Sequence, residues 1–283
     1  MNTRWAAVAR KDFQDAVQSR ALWALLATFV LFSLLTTYAY VELPEAFGAA
    51  GEVSFSGLVF FLAGITSLFV ALAAIVVCYK SVAGERELGS IKLLLALPVT
   101  RRDVFLGKVI GRAAVIAATL GVGLLIGLGF GSLLLGTIEI VPLVTFVLAA
   151  VVFAGVYAAI IVGLSATTSS TSRATTLALG FFVVFELAWD VVPLALVYVA
   201  NGFSLPQQMP DWMFLATQIP PSSAYFSALV ALLPGVADEA NAQTQAAGFD
   251  AAYATPTVGF AVLAFWVVVP LAIGYYRFDG TDL

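Results

Sequence analysis

An apolar stretch at residues 174–198 is long enough to cross a membrane as a helix, yet it contains two acids, Glu186 and Asp190. Because they are four residues apart, a helix places both on one face, with Glu186 near or just beyond the middle of the bilayer. Acids at that depth usually face a cavity or a partner, and no apolar span supplies a base to pair with them. The pair therefore indicates contact with water or a cationic ligand. The alternative is a helix that begins later or tilts, which leaves both acids near the outer surface.

Most catalytic chemistry is excluded by what the chain lacks. It has no histidine and one cysteine, Cys78, so it cannot form a His/Cys zinc site, a haem site ligated by histidine, a Ser-His-Asp triad or an intrachain disulfide. It also lacks the phosphate-binding pattern G-x-x-x-x-G-K-[ST], because Gly107-Lys108 is followed by Val109 and Arg102 stands at the first glycine position. We expect no metal or cofactor bound by this chain. The net charge of −4 argues against a nucleic-acid partner.

The charged segment 80–112 is the most informative part of the chain. Gly84 and Gly89 bracket a charged run, and an apolar patch follows before Pro98 breaks the helix. Thr100, three residues before Asp103, predicts the N-cap of a new helix. Apolar side chains flanked by both signs of charge are typical of a surface that docks another protein, and the alternative is a basic loop without a partner. The predicted docking residues are Glu85, Arg86, Glu87, Ile91, Lys92, Leu94, Leu95, Pro98 and Arg101, and the apolar patch also includes Leu97.

Residues 1–20 have the pattern of an amphipathic helix. Apolar residues recur at helical spacing at Trp5, Ala9 and Phe13, and the opposite side carries Arg10, Lys11 and Asp12. We expect an interfacial helix with its apolar face toward the lipid headgroups and its charged side toward the cytoplasm.

Composition requires a membrane around these segments. Apolar types make up 61% of the 283 residues and charged types 11%, which is too little charge to cover a surface that faces water. We predict one all-α transmembrane domain over the whole chain. Its first span is too long to be the apolar core of a cleavable signal peptide. The six predicted spans are 21–41, 53–79, 113–138, 141–164, 174–198 and 257–276.

The distribution of charge predicts the orientation. With six spans both termini lie on one side, and all 13 Lys and Arg residues then fall on that side. Because basic loops stay in the cytoplasm, we expect a multi-pass protein of the cytoplasmic membrane with both termini inside. The opposite loops carry only acids, namely Glu42, Glu45, Glu52, Glu139, Asp211, Asp238, Glu239 and Asp250.

The predicted outer loop, 199–256, contains two apolar runs, 212–219 and 224–233, that are too short to span the bilayer. Prolines 220 and 221 separate them. Short apolar pieces broken by proline predict a re-entrant helical hairpin before the last span. The alternative is an interfacial loop that holds Trp212 and Tyr225 at headgroup level.

Glycines 123, 127 and 131 recur at every fourth position of the third span. Such a ladder lets helices approach closely, so we interpret Gly123, Gly127 and Gly131 as packing residues rather than as part of a transport pathway.

The run from Glu85 to Arg102, together with the later Lys108, resembles the loop after the second helix of ABC-2 type permeases, the membrane subunits of exporter-type ABC transporters. The order of elements is similar to that family over essentially the whole chain. Within the family, the chain resembles the single-domain permeases that are similar to the maturation permease of nitrous-oxide reductase. Asp12 is a departure, since a Glu is more usual there.

The resemblance implies a homodimer, or a pairing with a related permease, on two separate ATPase subunits that bind the ATP and Mg. Segment 85–97 would be the coupling helix, and the N-terminal helix would lie beside it on the ATPase. The missing nucleotide-binding loop fits an energy source in another chain. We therefore expect a permease subunit for an unidentified substrate.

Two alternative functions stay open in the sequence. A membrane-embedded lipid-modifying enzyme needs clustered intramembrane polar groups, and only Glu186 and Asp190 qualify. A secondary transporter is expected to show inverted halves with helices broken in corresponding places, a pattern that the sequence does not display.

Overall fold

The computed structural model describes residues 4–43, 53–96, 98–206, 209–236 and 257–280. These residues form helices and no strand. The helices are α1 (Arg4–Val17), α2 (Arg20–Glu42), α3 (Phe55–Cys78), α4 (Ala83–Glu87), α5 (Ser90–Leu95), α6 (Arg101–Leu135), α7 (Ile140–Ala166), α8 (Thr171–Phe182), α9 (Val191–Ala200), α10 (Asp211–Thr217), α11 (Pro221–Leu232) and α12 (Val258–Asp279).

Six helical stretches in the described residues are long and apolar enough to cross a membrane, which confirms the predicted all-α membrane fold. They contain α2, α3, α6, α7, α8 with the π-helical turns that follow it, and α12. We call the end of the bundle that holds α1, α4 and α5 the basic end, and the end that holds α10 the acidic end.

Helix α6 begins where the sequence predicts it. Thr100 accepts a hydrogen bond from the backbone N–H of Asp103, and the Asp103 carboxylate accepts one from the backbone N–H of Thr100. From this reciprocal cap the helix runs for 35 residues, or about 52 Å, so it extends well beyond the bilayer at the basic end. Helix α6 therefore begins 12 residues before the predicted membrane span, which starts at residue 113.

Helices α6 and α7 form the centre of the bundle. Helix α6 packs against α1, α2, α3 and α7, and α7 packs against α3, α6, α8, α11 and α12. The α2–α6 contact lies on the glycine ladder, where Gly123 faces the backbone of Phe29 and Gly127 faces Ser33. A second close crossing joins α7 to α12, where Gly163 faces the carbonyl oxygen of Pro270.

The fifth span is discontinuous. The sequence predicts one helix over 174–198, but α8 passes into π-helical turns at Val183–Ala188, and the helix is interrupted at residues 189–190 before α9 resumes. Both acids lie at this irregularity, Glu186 within the π segment and Asp190 just before α9. Turns of π-helix are uncommon and often accompany functional sites.

Two short helices occupy the apolar runs of the predicted hairpin, α10 and α11. The indole N–H of Trp189 donates to the carbonyl of Ala216 at 2.8 Å, and that of Trp266 donates to the carbonyl of Ile219 at 2.7 Å. These bonds tie the end of α10 to the fifth span and to α12. Residues 237–256 of the predicted loop lie outside the described residues.

Candidate functional site

Helix α1 packs on the basic end of α6. A Cβ added to Gly107 would lie 2.6 Å from the Cβ of Val8, and one added to Gly111 would lie 2.9 Å from the Cβ of Asp12. The approach is this close because neither glycine has a side chain, and it turns Val8, Ala9 and Asp12 toward α6.

Asp12 is therefore buried. The sequence had predicted that it lies on the charged outer side of α1. It is 5% exposed, whereas Arg10 and Lys11 are exposed. The predicted apolar face is also only partly covered, since Ala9 is buried, Phe13 is half-buried and Trp5 is 38% exposed. The side of α1 that contacts protein is thus rotated from the side that hydrophobicity alone selects, because ionic partners on α6 attract Asp12.

Lys108 is the centre of a buried charge cluster. Its side-chain nitrogen lies 3.0 Å from Asp12 Oδ1 and 2.5 Å from Glu85 Oε1. The side chain of Lys108 is 8% exposed and that of Asp12 is 4% exposed. A charge buried this deeply needs a partner of opposite sign. One ammonium group therefore joins α1 and α4 to α6.

Arg112, one helical turn after Lys108, extends the cluster. Its Nε lies 2.9 Å from Asp12 Oδ2, and its Nη1 donates to the carbonyl of Val77, at the end of α3, at 3.2 Å. Two carboxylates and two basic groups thus balance in charge. We call Asp12, Glu85, Lys108 and Arg112 the charge cluster, and it connects α1, α3, α4 and α6.

Each of the three charged residues of α4 makes a different bond to the membrane helices. Glu85 accepts from Lys108 of α6, as described above. Arg86 donates to the carbonyls of Ala166 and Thr168, in the connection between α7 and α8, at 3.1 and 3.2 Å. Glu87 accepts from the backbone N–H of Thr171, the first residue of α8, at 2.9 Å. Helix α4 is therefore fixed to three membrane helices through consecutive residues.

Ile91 was predicted to be part of the docking surface, but the structure buries it. Its side chain is 1% exposed and belongs to the hydrophobic core, because this side of α5 turns inward. Leu94 is half-buried, Lys92 and Pro98 are exposed, and the side chain of Leu95 and all of Leu97 lie outside the described residues. Arg101 donates to the carbonyls of Phe278 and Asp279, which holds the end of α12 against the start of α6.

Leu88 is the residue that the sequence interpretation missed. It lies in the turn between α4 and α5 and is 84% exposed, the largest fraction among the exposed large apolar side chains of the described residues. Its neighbour Glu87 is exposed too. An apolar side chain presented to water beside charges is typical of a contact point for another protein.

Glu186 and Asp190 have different surroundings, although both were predicted as one polar site. Glu186 accepts hydrogen bonds from the hydroxyl of Tyr157 on α7 and from Ser222 at the start of α11. Asp190 is exposed and has no ion pair or hydrogen-bond partner among the described residues. Glu186 thus connects helices, whereas the carboxylate of Asp190 stays available.

The arrangement at the basic end suits mechanical coupling rather than bond chemistry. The four residues of the charge cluster are paired with one another, and the described residues contain no group of three or more metal-binding side chains. Lys108 and Arg112 could have been found from the sequence. Each directly follows a glycine, Gly107 or Gly111, and the two glycines are four residues apart, which places them on one face of a helix.

Comparisons with known proteins agree with this architecture. A family model described as "ABC-2 family transporter protein" matches residues 6–283. A probable ABC transporter permease protein NosY from Stutzerimonas stutzeri is 30% identical over 223 residues, which are 76% of this chain and 78% of the relative. A protein of the same name from Pseudomonas aeruginosa is 30% identical over 224 residues, 74% of this chain and 76% of the relative.

Proposed function

The chain belongs to the ABC-2 family and is the membrane subunit of an ABC transporter rather than an enzyme, and on that premise we propose that α4 and α5 dock a separate ATPase and carry its movement into the membrane. The ATPase binds the ATP and Mg, because the chain has no phosphate-binding loop. We further propose two ATPase copies and a second permease copy, as a homodimer or with a related permease.

The attachment of α4 is the observation that carries this proposal. Glu85, Arg86 and Glu87 each bond to a different membrane helix or helix connection. A displacement of α4 would therefore act on α6, α7 and α8 together. Helix packing and ionic networks of this kind have discrete arrangements, which lets a contact at one end alter the bundle.

In this proposal Leu88 makes the main contact with the ATPase, and Lys92, Leu94 and Pro98, which follow it in the same segment, contribute to the contact. These side chains are exposed or half-buried, while the charged residues of α4 face the bundle or its connections. The apolar knob provides affinity, and the neighbouring charges select the partner. Helix α1, with Arg10 and Lys11 exposed, provides a second contact beside it.

Leu88→Asp tests the docking proposal. We expect the affinity for the partner ATPase to fall at least about tenfold, because a carboxylate replaces an apolar anchor in a contact that excludes water. Leu94→Asp should act in the same direction but less strongly, since Leu94 is half-buried. The measurement is co-purification from mild detergent, followed by ATPase activity of the recovered complex.

Leu88→Met is the matched control, because it keeps an apolar side chain of similar size, and it should retain both ATPase binding and activity. Normal recovery and activity of the Leu88→Asp complex would contradict the docking surface. Equal losses in Leu88→Asp and Leu88→Met would indicate damage to the fold instead.

We also propose that the basic end lies in the cytoplasm and the acidic end outside, in the cytoplasmic membrane. The separation of all 13 basic residues from the acidic loops supports this orientation. Single cysteines test it, since the native Cys78 is buried and is removed by Cys78→Ala. In intact cells we expect an impermeant maleimide to label Glu139→Cys and to label Lys11→Cys only after lysis. The reverse pattern would contradict the orientation.

A further inference from the structure

A polar cavity opens beside the interruption of the fifth span. It is an open cleft of about 310 Å³ between α3, the interruption and the pair α10–α11. A larger cavity of about 450 Å³ between α6, α7 and α12 is lined almost entirely by apolar side chains, as expected of a surface that faces lipid. The polar groups that line the smaller cavity are Ser67, Asp190, Thr217, Gln218, Ser222 and Ser223.

The cavity reaches deep into the bundle. Ser67 lies about 18 Å along α3 from Phe55, which begins that helix at the acidic end. Asp190 lies 19 residues, or at most about 28 Å, from the start of α8, and the ten apolar residues of α9 continue beyond it. A polar surface at this depth cannot be satisfied by lipid tails, so water or a ligand must occupy it.

Asp190 is the group in the cavity that carries charge. Glu186, one turn earlier, is already committed to Tyr157 and to Ser222, so it balances the positive N-terminal end of α11. Asp190 has no such partner among the described residues, and the C-terminal end of α10, at Thr217 and Gln218, adds partial negative charge. The local field therefore favours a cation.

The charges on the acidic side of the sequence pattern are negative, as is that of Asp190. All 13 Lys and Arg residues belong to the basic side of the sequence pattern, so none competes for Asp190. Glu42 and Glu139, which are described at the acidic end, raise the local concentration of cations. An anionic ligand would meet repulsion both on approach and inside the cavity.

The size of the cavity selects an organic cation. Its volume is at the lower end of the range of small-molecule sites and is far larger than a bare ion. The described residues also contain no group of three or more His, Cys, Asp or Glu that could hold a metal. Hydroxyl and amide oxygens can accept hydrogen bonds from the N–H groups of an amine, and Phe226 adds an aromatic ring, which attracts cations, to the lining.

We propose that this cavity binds an ammonium group, carried by a small soluble amine or by an amine-bearing lipid headgroup, with Asp190 as its counter-ion. Ser67, Thr217 and Ser223 line the cavity and provide hydroxyl oxygens that accept hydrogen bonds from the group, whereas the amide oxygen of Gln218 already accepts one from Ser227. As a site for the transported molecule, the cavity depends on the proposed function. As a binding site it can be tested without any ATPase.

The test uses the purified full chain in detergent, with no ATPase present. In one arm ethylammonium chloride is titrated while tryptophan fluorescence is recorded, because Trp189 adjoins Asp190 and bonds to Ala216 beside Thr217. Sodium acetate at equal ionic strength is the anionic control. In the other arm native mass spectrometry compares retention of phosphatidylethanolamine with that of phosphatidylglycerol.

Asp190→Asn keeps the shape of the side chain and removes its charge, and we expect it to bind the amine about tenfold more weakly. Asp190→Glu keeps the charge but moves it by one methylene, so it should bind the amine more tightly than Asp190→Asn does. Glu139→Gln, which removes an exposed acid elsewhere at the same end, should bind like the parent chain. Binding in the first arm alone identifies a soluble amine, and binding in the second alone identifies a lipid.

The proposal is overturned if neither amine binds, if acetate or phosphatidylglycerol binds equally well, or if Asp190→Asn binds like the parent chain. None of these results depends on ATPase docking at Leu88. Conversely, a failure of the docking experiment leaves the amine titration unaffected, so the two proposals fail separately.

Discussion

Lys108→Met is expected to destabilise the folded chain by about 1–3 kcal/mol, because it removes one of the two basic partners of the buried Asp12 carboxylate, which is 4% exposed, and leaves only Arg112. Methionine fills a similar volume, so the loss reports the charge rather than a cavity. Glu85 loses its 2.5 Å contact as well, which frees α4 from α6. Thermal unfolding of the purified full chain, followed by tryptophan fluorescence, measures the change.

Lys11→Met provides the matched control, since Lys11 is exposed on the same α1 helix that carries Asp12. We expect this variant to unfold within about 0.5 kcal/mol of the parent chain. The double variant Asp12→Asn with Lys108→Met should recover part of the loss, because the buried carboxylate that lost its Lys108 partner is then neutral. If Lys108→Met unfolds like Lys11→Met, the charge cluster does not stabilise the fold.

The helices could be predicted from the sequence because the signals that set them are local. Long uncharged runs define membrane spans, and the Thr100 and Asp103 pair defines the start of α6 through hydrogen bonds within four residues. The charged and apolar pattern of segment 80–112 predicted one short helix before a break at Pro98, and the structure has two short helices there, α4 and α5, separated by Leu88 and Gly89. None of these signals requires knowledge of a distant part of the chain.

The side chains that join helices could not be predicted in the same way. Asp12 and Lys108 are 96 residues apart, and only the packing of α1 on Gly107 and Gly111 brings them together. Amphipathic periodicity therefore placed Asp12 toward water, since it treats every charge as solvated. Ile91 shows the opposite error, because an apolar residue in a short helix can face either a partner or the core.

The broken fifth span illustrates a third limit. Hydropathy averages over a window, so a continuous apolar run from 174 to 198 predicts one helix even where π-helical turns and an interruption occur. The two acids at 186 and 190 were the visible sign of irregularity. Their different roles depend on Tyr157 and Ser222, which approach only Glu186.

Gly123→Ala should separate α2 from α6 and lower stability by about 1–3 kcal/mol. A Cβ at this position would lie 2.9 Å from the carbonyl carbon of Phe29 and 3.0 Å from its oxygen, so the backbone of α2 must move away. Gly129→Ala, on the same helix, meets no atom within 4 Å and should stabilise by up to about 1 kcal/mol through helix propensity. Both variants share that propensity gain, so the difference between their unfolding free energies isolates helix packing. Equal stabilities would show that the glycine ladder is not a close contact, whereas a large difference would establish that α2 is held against α6 by the absence of a side chain.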